Sequence, residues 1–317
     1  MSLENKMLHS VINNYESVLH TTKDPQVDTW LFMSSPTPVL LILTCYLYFV
    51  LKLGPRLMSN KKAISMKKLL VAYNLYQVIF NIWLTSVPVR LGVMSYLVSS
   101  VCNRTLTNDA YYANALSTGA WWYFISKMVD LLDTIFFVLR KKQDQVTFLH
   151  VYHHTTTCLF SWGYLKYLPG EQGIVIGFLN SAVHILMYTY YMVAALGPEY
   201  AKYLWWKKYL TWMQLVQFFL MLTYLLSLLV LNCQLPKALT FFFTGNVVIF
   251  LYLFSRFYRK AYRKKKTPTL KNTIPRLFPF IGTFYRSPDK EKQQVCVLRP
   301  ITKLSEGLKT SYCKFAL

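Results

Sequence analysis

Long runs with few or no charged residues recur along this 317-residue chain, and they leave it few folds to choose from. A run of about 18 or more apolar residues matches the thickness of a bilayer's hydrocarbon core, where a helix alone can satisfy its own backbone within one segment. The runs predict seven transmembrane helices, over 29–51, 69–89, 114–139, 146–168, 172–196, 209–231 and 238–255. Helix-breaking pairs punctuate them: Gly54-Pro55 after the first, Pro169-Gly170 after the fourth and Gly197-Pro198 after the fifth. The expected fold is an all-α polytopic membrane protein.

Composition makes sense only once the chain is divided this way. Hydrophobic residues make up 54% of it, yet the formal charge is +22. The stretch from Arg256 onward holds 16 of the 35 Lys and Arg residues against three acids, so much of the charge lies in a tail. We divide the chain into a polar N-terminal segment, 1–28, a seven-helix domain, 29–258, and a basic tail, 259–317. A basic tail after an apolar helix reports cytosolic orientation and attraction to anionic lipid rather than nucleic-acid binding. The N-terminal segment has no apolar core of the kind a cleavable signal peptide needs, so insertion is expected to start at the first helix.

Lys and Arg concentrate in alternate loops: Arg56, Lys61, Lys62, Lys67 and Lys68, then Arg140, Lys141 and Lys142, then Lys202, Lys207 and Lys208, then the tail. The positive-inside rule therefore predicts a luminal N-terminus and a cytosolic C-terminus. Cys102 and Cys233 fall in loops on the same oxidising side and are expected to pair. None of the six cysteines forms a CxxC motif. A glycosylation sequon at Asn103 lies beside Cys102.

Four of the six histidines, His150, His153, His154 and His184, lie within the apolar helices, where an imidazole is costly to bury unpaired. Residues three and four apart share a helix face, so the three in the fourth helix are expected along one side. Asn180, His184, Tyr188 and Tyr191 share a face of the fifth helix, and Gln214 and Gln217 one of the sixth. Lys127, Asp130, Asp133 and Thr134 form a stripe on the third. At about 1.5 Å per residue, these groups come out roughly 6 to 18 Å from the cytosolic end of their helices. The convergence predicts one buried site among helices three to six, opening to the cytosol.

Four histidines with one box are too few for a membrane di-iron centre. A single zinc held by three histidines with an open position remains chemically open. So does acyl chemistry, in which one neutral imidazole attacks a thioester while others move the proton or stabilise the oxyanion. Cys158, one turn beyond His154, is a rival nucleophile. A non-enzymatic receptor or transporter explains the seven helices but not the histidines. A zinc-dependent membrane amidohydrolase would explain both.

Four ordered motifs carry a resemblance over about residues 30 to 265. They are Lys127-x-x-Asp130-x-x-Asp133-Thr134, His150-x-x-His153-His154, Asn180-x-x-His184-x-x-Met187-Tyr188-x-Tyr190-Tyr191 and Thr211-x-x-Gln214-x-x-Gln217. The chain resembles the very-long-chain fatty acid elongases, the ELO family of 3-ketoacyl-CoA synthases. Asp130 stands where the family usually has Glu, and the C-terminus lacks the dilysine retrieval signal of many members. The resemblance implies residence in the endoplasmic reticulum and condensation of a long-chain acyl-CoA with malonyl-CoA, with loss of CO2 and CoA. It implies no metal or nicotinamide cofactor. The expected partners are the bilayer and the other enzymes of the elongation cycle, with a homo-oligomer left open. On this reading His153 attacks, and His150 and His154 manage the proton. Asn180 and His184 stabilise oxyanions, while Lys127, Asp130 and Asp133 orient the cluster, with Tyr188 and Gln214 beside it. Lys141, Lys142, Lys207, Lys208, Arg256 and Arg259 are placed to meet the CoA phosphates.

Overall fold

The computed structural model describes residues 25–93, 109–167, 172–231, 233 and 237–262. Regular structure among them is entirely helical. A short α1 (Pro25–Asp28) leads to α2 (Thr37–Tyr48), a π turn (Phe49–Leu53) and α3 (Gly54–Met58). Then come α4 (Lys67–Arg90), α5 (Ala110–Leu139), α6 (Phe148–Tyr167), α7 (Gln172–Leu196), α8 (Lys207–Val230) and α9 (Lys237–Tyr262). Five segments are long and apolar enough to cross a membrane: Thr37–Met58, Lys67–Arg90, Gly173–Leu196, Lys207–Val230 and Thr240–Tyr262. The two long helices outside this set, α5 and α6, carry the Lys-Asp stripe and the histidine box, which lower their hydropathy.

The first predicted helix needs two corrections. Residues 29–36 turn rather than coil into a helix, and Gly54-Pro55 does not end the helix. Proline lacks an N–H, and its ring crowds the carbonyl one turn back. The chain meets this by widening into the π turn, in which Gly54 N–H reaches back to Phe49 O, and the helix then runs on to Met58. The third helix starts earlier than expected because the Asp109 carboxylate caps it, accepting from Tyr111 N at 2.8 Å. The seventh extends to Tyr262.

Packing between neighbours closes a ring: α5 on α6, α5 on α4, α4 on α7, α7 on α8, α8 on α9, and α9 back on α6. The α2–α3 unit lies outside this ring, against α5 and α6. Lipid is as apolar as leucine, so helix association in a bilayer relies on close packing and polar contacts rather than on hydrophobic burial. The side chains follow that rule. Leu41, Ile79, Phe219, Val230 and Phe241 point outward, while Asn74, Gln77, Asn81 and Lys127 are buried.

The segment before α2 is tied to the far end of α6. Lys166 Nζ donates to the Asp28 carboxylate and to Met33 O at 2.7 Å, and Trp162 Nε1 donates to Phe32 O at 2.9 Å. Trp121 Nε1 donates to Leu31 O at 3.2 Å. Cys233 is disulfide-bonded, and Cys45 and Cys158 are free. Its expected partner Cys102, the sequon at Asn103 and the basic tail beyond Tyr262 lie outside the described residues.

Gly54 packs tightly against Val138 of α5. A Cβ there would sit 2.6 Å from Val138 Cγ1 and 2.9 Å from Phe49 O. Gly54→Ala should therefore destabilise the protein by about 1–3 kcal/mol through overpacking. Thermal unfolding in detergent checks this. Combined with Val138→Ala, the loss should be smaller than the sum of the two single losses, because the substitutions share one contact.

Candidate active site

A buried ion pair organises the interior. Lys127 and Asp130, one turn apart on α5, lie 2.9 Å apart with both side chains almost fully enclosed. An isolated charge would be untenable there, and the neighbours complete the pairing. Gln77 Nε2 on α4 donates to Asp130 Oδ1 at 2.7 Å. The Tyr188 hydroxyl on α7 lies 3.0 Å from Asp130 Oδ1 and 2.9 Å from Asp133 Oδ2, so one phenol bridges the two carboxylates. His184 Nδ1 lies 3.4 Å from Lys127 Nζ. An ammonium can only donate, so Nδ1 accepts and the proton of a neutral His184 sits on Nε2. The Lys127 ammonium also faces the Tyr123 ring at 4.9 Å.

The three histidines of α6 do not share one role or one direction. Side chains advance by about 100° per residue around a helix. His150 and His154, four apart, pack with ring centroids 4.2 Å apart and planes tilted by 47°, and face α5, where His150 Nε2 meets Thr134 Oγ1 at 3.0 Å. Thr134 Oγ1 in turn meets the Tyr46 hydroxyl of α2 at 2.7 Å. His153 turns instead toward α8 and α9, with its ring 5.0 Å from that of Phe250 and 6.4 Å from that of Phe218. The expectation that all three line one side is corrected accordingly.

His153 borders a cavity of about 180 Å³ inside the ring. It is the only one of the four helical histidines on the cavity wall. Polar groups from three other helices join it: Asn180 from α7, Gln217 from α8 and Asn246 from α9. From there the cavity runs among Leu84, Leu116, Phe160, Met221, Leu228 and Phe243 toward the end of the bundle where α4, α6 and α8 finish. One end is polar and the remainder is largely apolar, a shape suited to a molecule with a reactive head and a hydrocarbon tail.

Other expected residues fall elsewhere. Gln214 does not reach the cavity, its Nε2 lying 3.8 Å from Met187 Sδ. Cys158, the rival nucleophile, is buried against Met128 on the α2–α5 side. Lys141 Nζ is held by Ser59 O and Lys61 O at 3.1 and 3.0 Å, fastening the loop before α4. Lys208, Arg256 and Arg259 are exposed and Lys142 and Lys207 half-buried, at the start of α8, the end of α9 and the turn after α5. Among the described residues no three His, Cys, Asp or Glu side chains are placed to hold a metal ion.

Several partners were not anticipated from the sequence: Gln77, Tyr46, Tyr123, Tyr152 and Asn246. A signal for Gln77 was present, since Asn74, Gln77 and Asn81 repeat at helical spacing in an apolar run and all are buried. Asn74 and Asn81 spend their amides on their own helix, through Leu70 O and Gln77 O, while Gln77 reaches across to α5.

Removing one member of the ion pair strands the other. Lys127→Met should destabilise the protein by about 3–5 kcal/mol, seen as a lowered midpoint in detergent thermal melts. Adding Asp130→Leu should recover part of that loss, because the carboxylate stranded by the loss of Lys127 is then gone.

Comparison with known proteins places this architecture. The ELO family pattern, described as the GNS1/SUR4 family, matches residues 31–270. The chain is 41% identical over 256 residues to very long chain fatty acid elongase 7 of Drosophila melanogaster, covering 80% of this chain and 77% of the relative. It is 41% identical to elongase 7 of Rattus norvegicus over 254 residues, 76% and 86% of the two chains. It is 38% identical to elongase 4 of Homo sapiens over 250 residues, 79% of each. A helical membrane bundle with its polar groups turned inward, the ordered motifs on α5 to α8, and this similarity over most of its length make the chain a member of the ELO family of very long chain fatty acid elongases.

Proposed function

We propose that this protein is the condensing enzyme of fatty acid elongation, a very-long-chain 3-oxoacyl-CoA synthase. It joins a long-chain acyl-CoA to malonyl-CoA and releases CO2, free CoA and a 3-ketoacyl-CoA two carbons longer. The observation that carries this reading is the position of His153: its ring makes no hydrogen bond to any described residue and stands on the wall of a largely apolar cavity, beside Asn180 and Gln217.

In the first half-reaction a ring nitrogen of His153 attacks the thioester carbon. The C–N bond forms and the carbonyl pair moves onto oxygen. As the carbonyl returns, the C–S bond breaks and the imidazole proton ends on the CoA sulfur. His154 packs behind the His153 ring at a centroid distance of 5.5 Å and His150 beside His154 at 4.2 Å, so their expected part in moving that proton runs through a bridging group rather than a direct hydrogen bond. In the second half-reaction malonyl-CoA loses CO2, and its enolate carbon attacks the acyl-imidazole carbon. The C–N bond then breaks, and the imidazole takes back a proton. Asn180 N–H supplies a hydrogen bond to the developing oxyanion, while His184, expected to share that task, stands off the cavity wall beside Lys127. Lys127 and Asp130 keep His184 in the tautomer that can donate. The acyl tail lies in the apolar part of the cavity, and the basic ends of α8 and α9, with the turn after α5, meet the CoA phosphates. No metal or nicotinamide cofactor enters the scheme.

The same reading has α5 and α6 crossing the bilayer with the other five spans. At about 1.5 Å per residue, their 30 and 20 residues give lengths of about 45 and 30 Å, enough to do so. Seven crossings put the N-terminus in the lumen of the endoplasmic reticulum and the basic tail in the cytosol, with the site reached from the cytosolic side. The remaining enzymes of the cycle, which reduce and dehydrate the 3-ketoacyl product, are the expected functional partners, and assembly as a homo-oligomer is compatible with this reading.

Membranes containing the protein, given malonyl-CoA labelled in its retained two-carbon unit and a panel of acyl-CoAs, should yield labelled 3-ketoacyl products. A well-folded protein without labelled product across the panel would count against the assignment. With acyl-CoA alone, peptide mass spectrometry should find an acyl adduct on His153. His153→Ala should lose both the adduct and essentially all turnover, and full activity in that variant would discard His153 as nucleophile.

A further inference from the structure

Asn246 belongs to none of the four motifs and is assigned no role above, yet it stands at the polar end of the cavity with its side chain buried. The Tyr152 hydroxyl on α6 donates to Asn246 Oδ1 at 2.9 Å. That bond fixes the carboxamide's orientation and leaves its N–H2 group without a partner among the described residues. The same device occurs on the neighbouring wall, where the Tyr123 hydroxyl donates to Asn180 Oδ1 at 3.0 Å and leaves the Asn180 N–H2 unpaired in the same sense. Each asparagine therefore has its acceptor end held by a tyrosine and its donor end available to the cavity.

The pairing is placed for the reacting centre. Tyr152 precedes His153 in sequence, and both rings pack on Phe250, with centroid distances of 5.6 and 5.0 Å. Phe250 lies one turn beyond Asn246 on α9. With its oxygen held by Tyr152 and no acceptor for its nitrogen among the described residues, the Asn246 amide is placed to donate to an oxygen of a molecule bound at that level. Bound acyl-CoA brings its thioester carbonyl to His153.

We propose that Asn246, oriented by Tyr152, is a further catalytic residue: its amide N–H2 donates to the acyl carbonyl oxygen as His153 attacks, across the cavity from Asn180. The proposal rests on the elongase reading of the site. As the C–N bond to His153 forms, the carbonyl electron pair moves to oxygen, and a fixed donor there strengthens its hydrogen bond as the charge grows. Tyr152 is a positioning residue, because it touches the substrate only through the amide it holds.

The test is single-turnover acylation of the full-length protein in detergent, with one long-chain acyl-CoA and mass spectrometry of the peptide containing His153. Asn246→Leu keeps the size and removes the donor, and it should slow acylation by about 10²-fold. Tyr152→Phe should slow it by a smaller factor, of order tenfold, in the limiting acylation rate rather than in the acyl-CoA concentration that half-saturates it. Neither should alter the length distribution of products. Acylation of Asn246→Leu at the wild-type rate, or a shifted length distribution at an unchanged rate, would make Asn246 a wall residue and overturn the proposal. If Asn246→Leu does not give monodisperse protein, Tyr152→Phe decides the matter, and a wild-type rate in that variant overturns the proposal equally. Wild-type protein that forms neither adduct nor product overturns the underlying elongase reading, and the proposal with it.

Discussion

The interior of this protein depends on partnering two buried carboxyl groups and one ammonium with side chains rather than with solvent. Asp130 accepts from Lys127 on its own helix, from Gln77 on α4 and from Tyr188 on α7. Tyr188 also reaches Asp133, and Lys127 reaches His184. Each bond is individually modest. Together they tie α4, α5 and α7 into one register, because a shift of one of these helices by a turn would strip a buried carboxyl group of a hydrogen-bond donor. Thr134 carries the linkage onward to His150 on α6 and Tyr46 on α2. The helices that carry the site are thus held by polar contacts, as expected where association gains nothing from leaving lipid.

Within that frame α6 separates two tasks through helical geometry alone. His150 and His154 face the polar cluster on α5, and His153 faces the cavity between α8 and α9. One side of the helix is thereby coupled to fixed hydrogen-bond partners, and the other presents an imidazole to whatever enters. A nucleophile supported from behind and open in front is what acyl transfer needs. The amides on the cavity wall repeat the arrangement on a smaller scale, since Tyr123 and Tyr152 each hold one end of an asparagine and leave the other end to the cavity.

The membrane class, the positions of the helices and the family motifs were readable in the sequence because each depends on local composition or on spacing along the chain. A charge-free run predicts a helix wherever its neighbours lie. The Lys127, Asp130 and Asp133 stripe, the histidine box and the Asn180 to Tyr191 face could be read the same way. The break expected at Gly54-Pro55 failed because the chain widens into a π turn there and the helix continues through the proline.

Tertiary structure decided how each helix is rotated about its own axis and which neighbour it meets. Three histidines at spacings of three and one span an arc of about 100°, which can serve one surface or two, and the packing of α5 against one side and α8 and α9 against the other assigned them. The roles of Gln77 and Asn246 could not be settled from the chain, since a single polar residue in an apolar helix is satisfied by its own backbone as readily as across an interface. Asn81 takes the first course and Gln77 the second. The sequence by itself determined that this is a helical membrane protein bearing elongase motifs. Only the folded ring, in which groups far apart in the chain come within hydrogen-bonding distance, decided which histidine faces the cavity and which amides stand beside it.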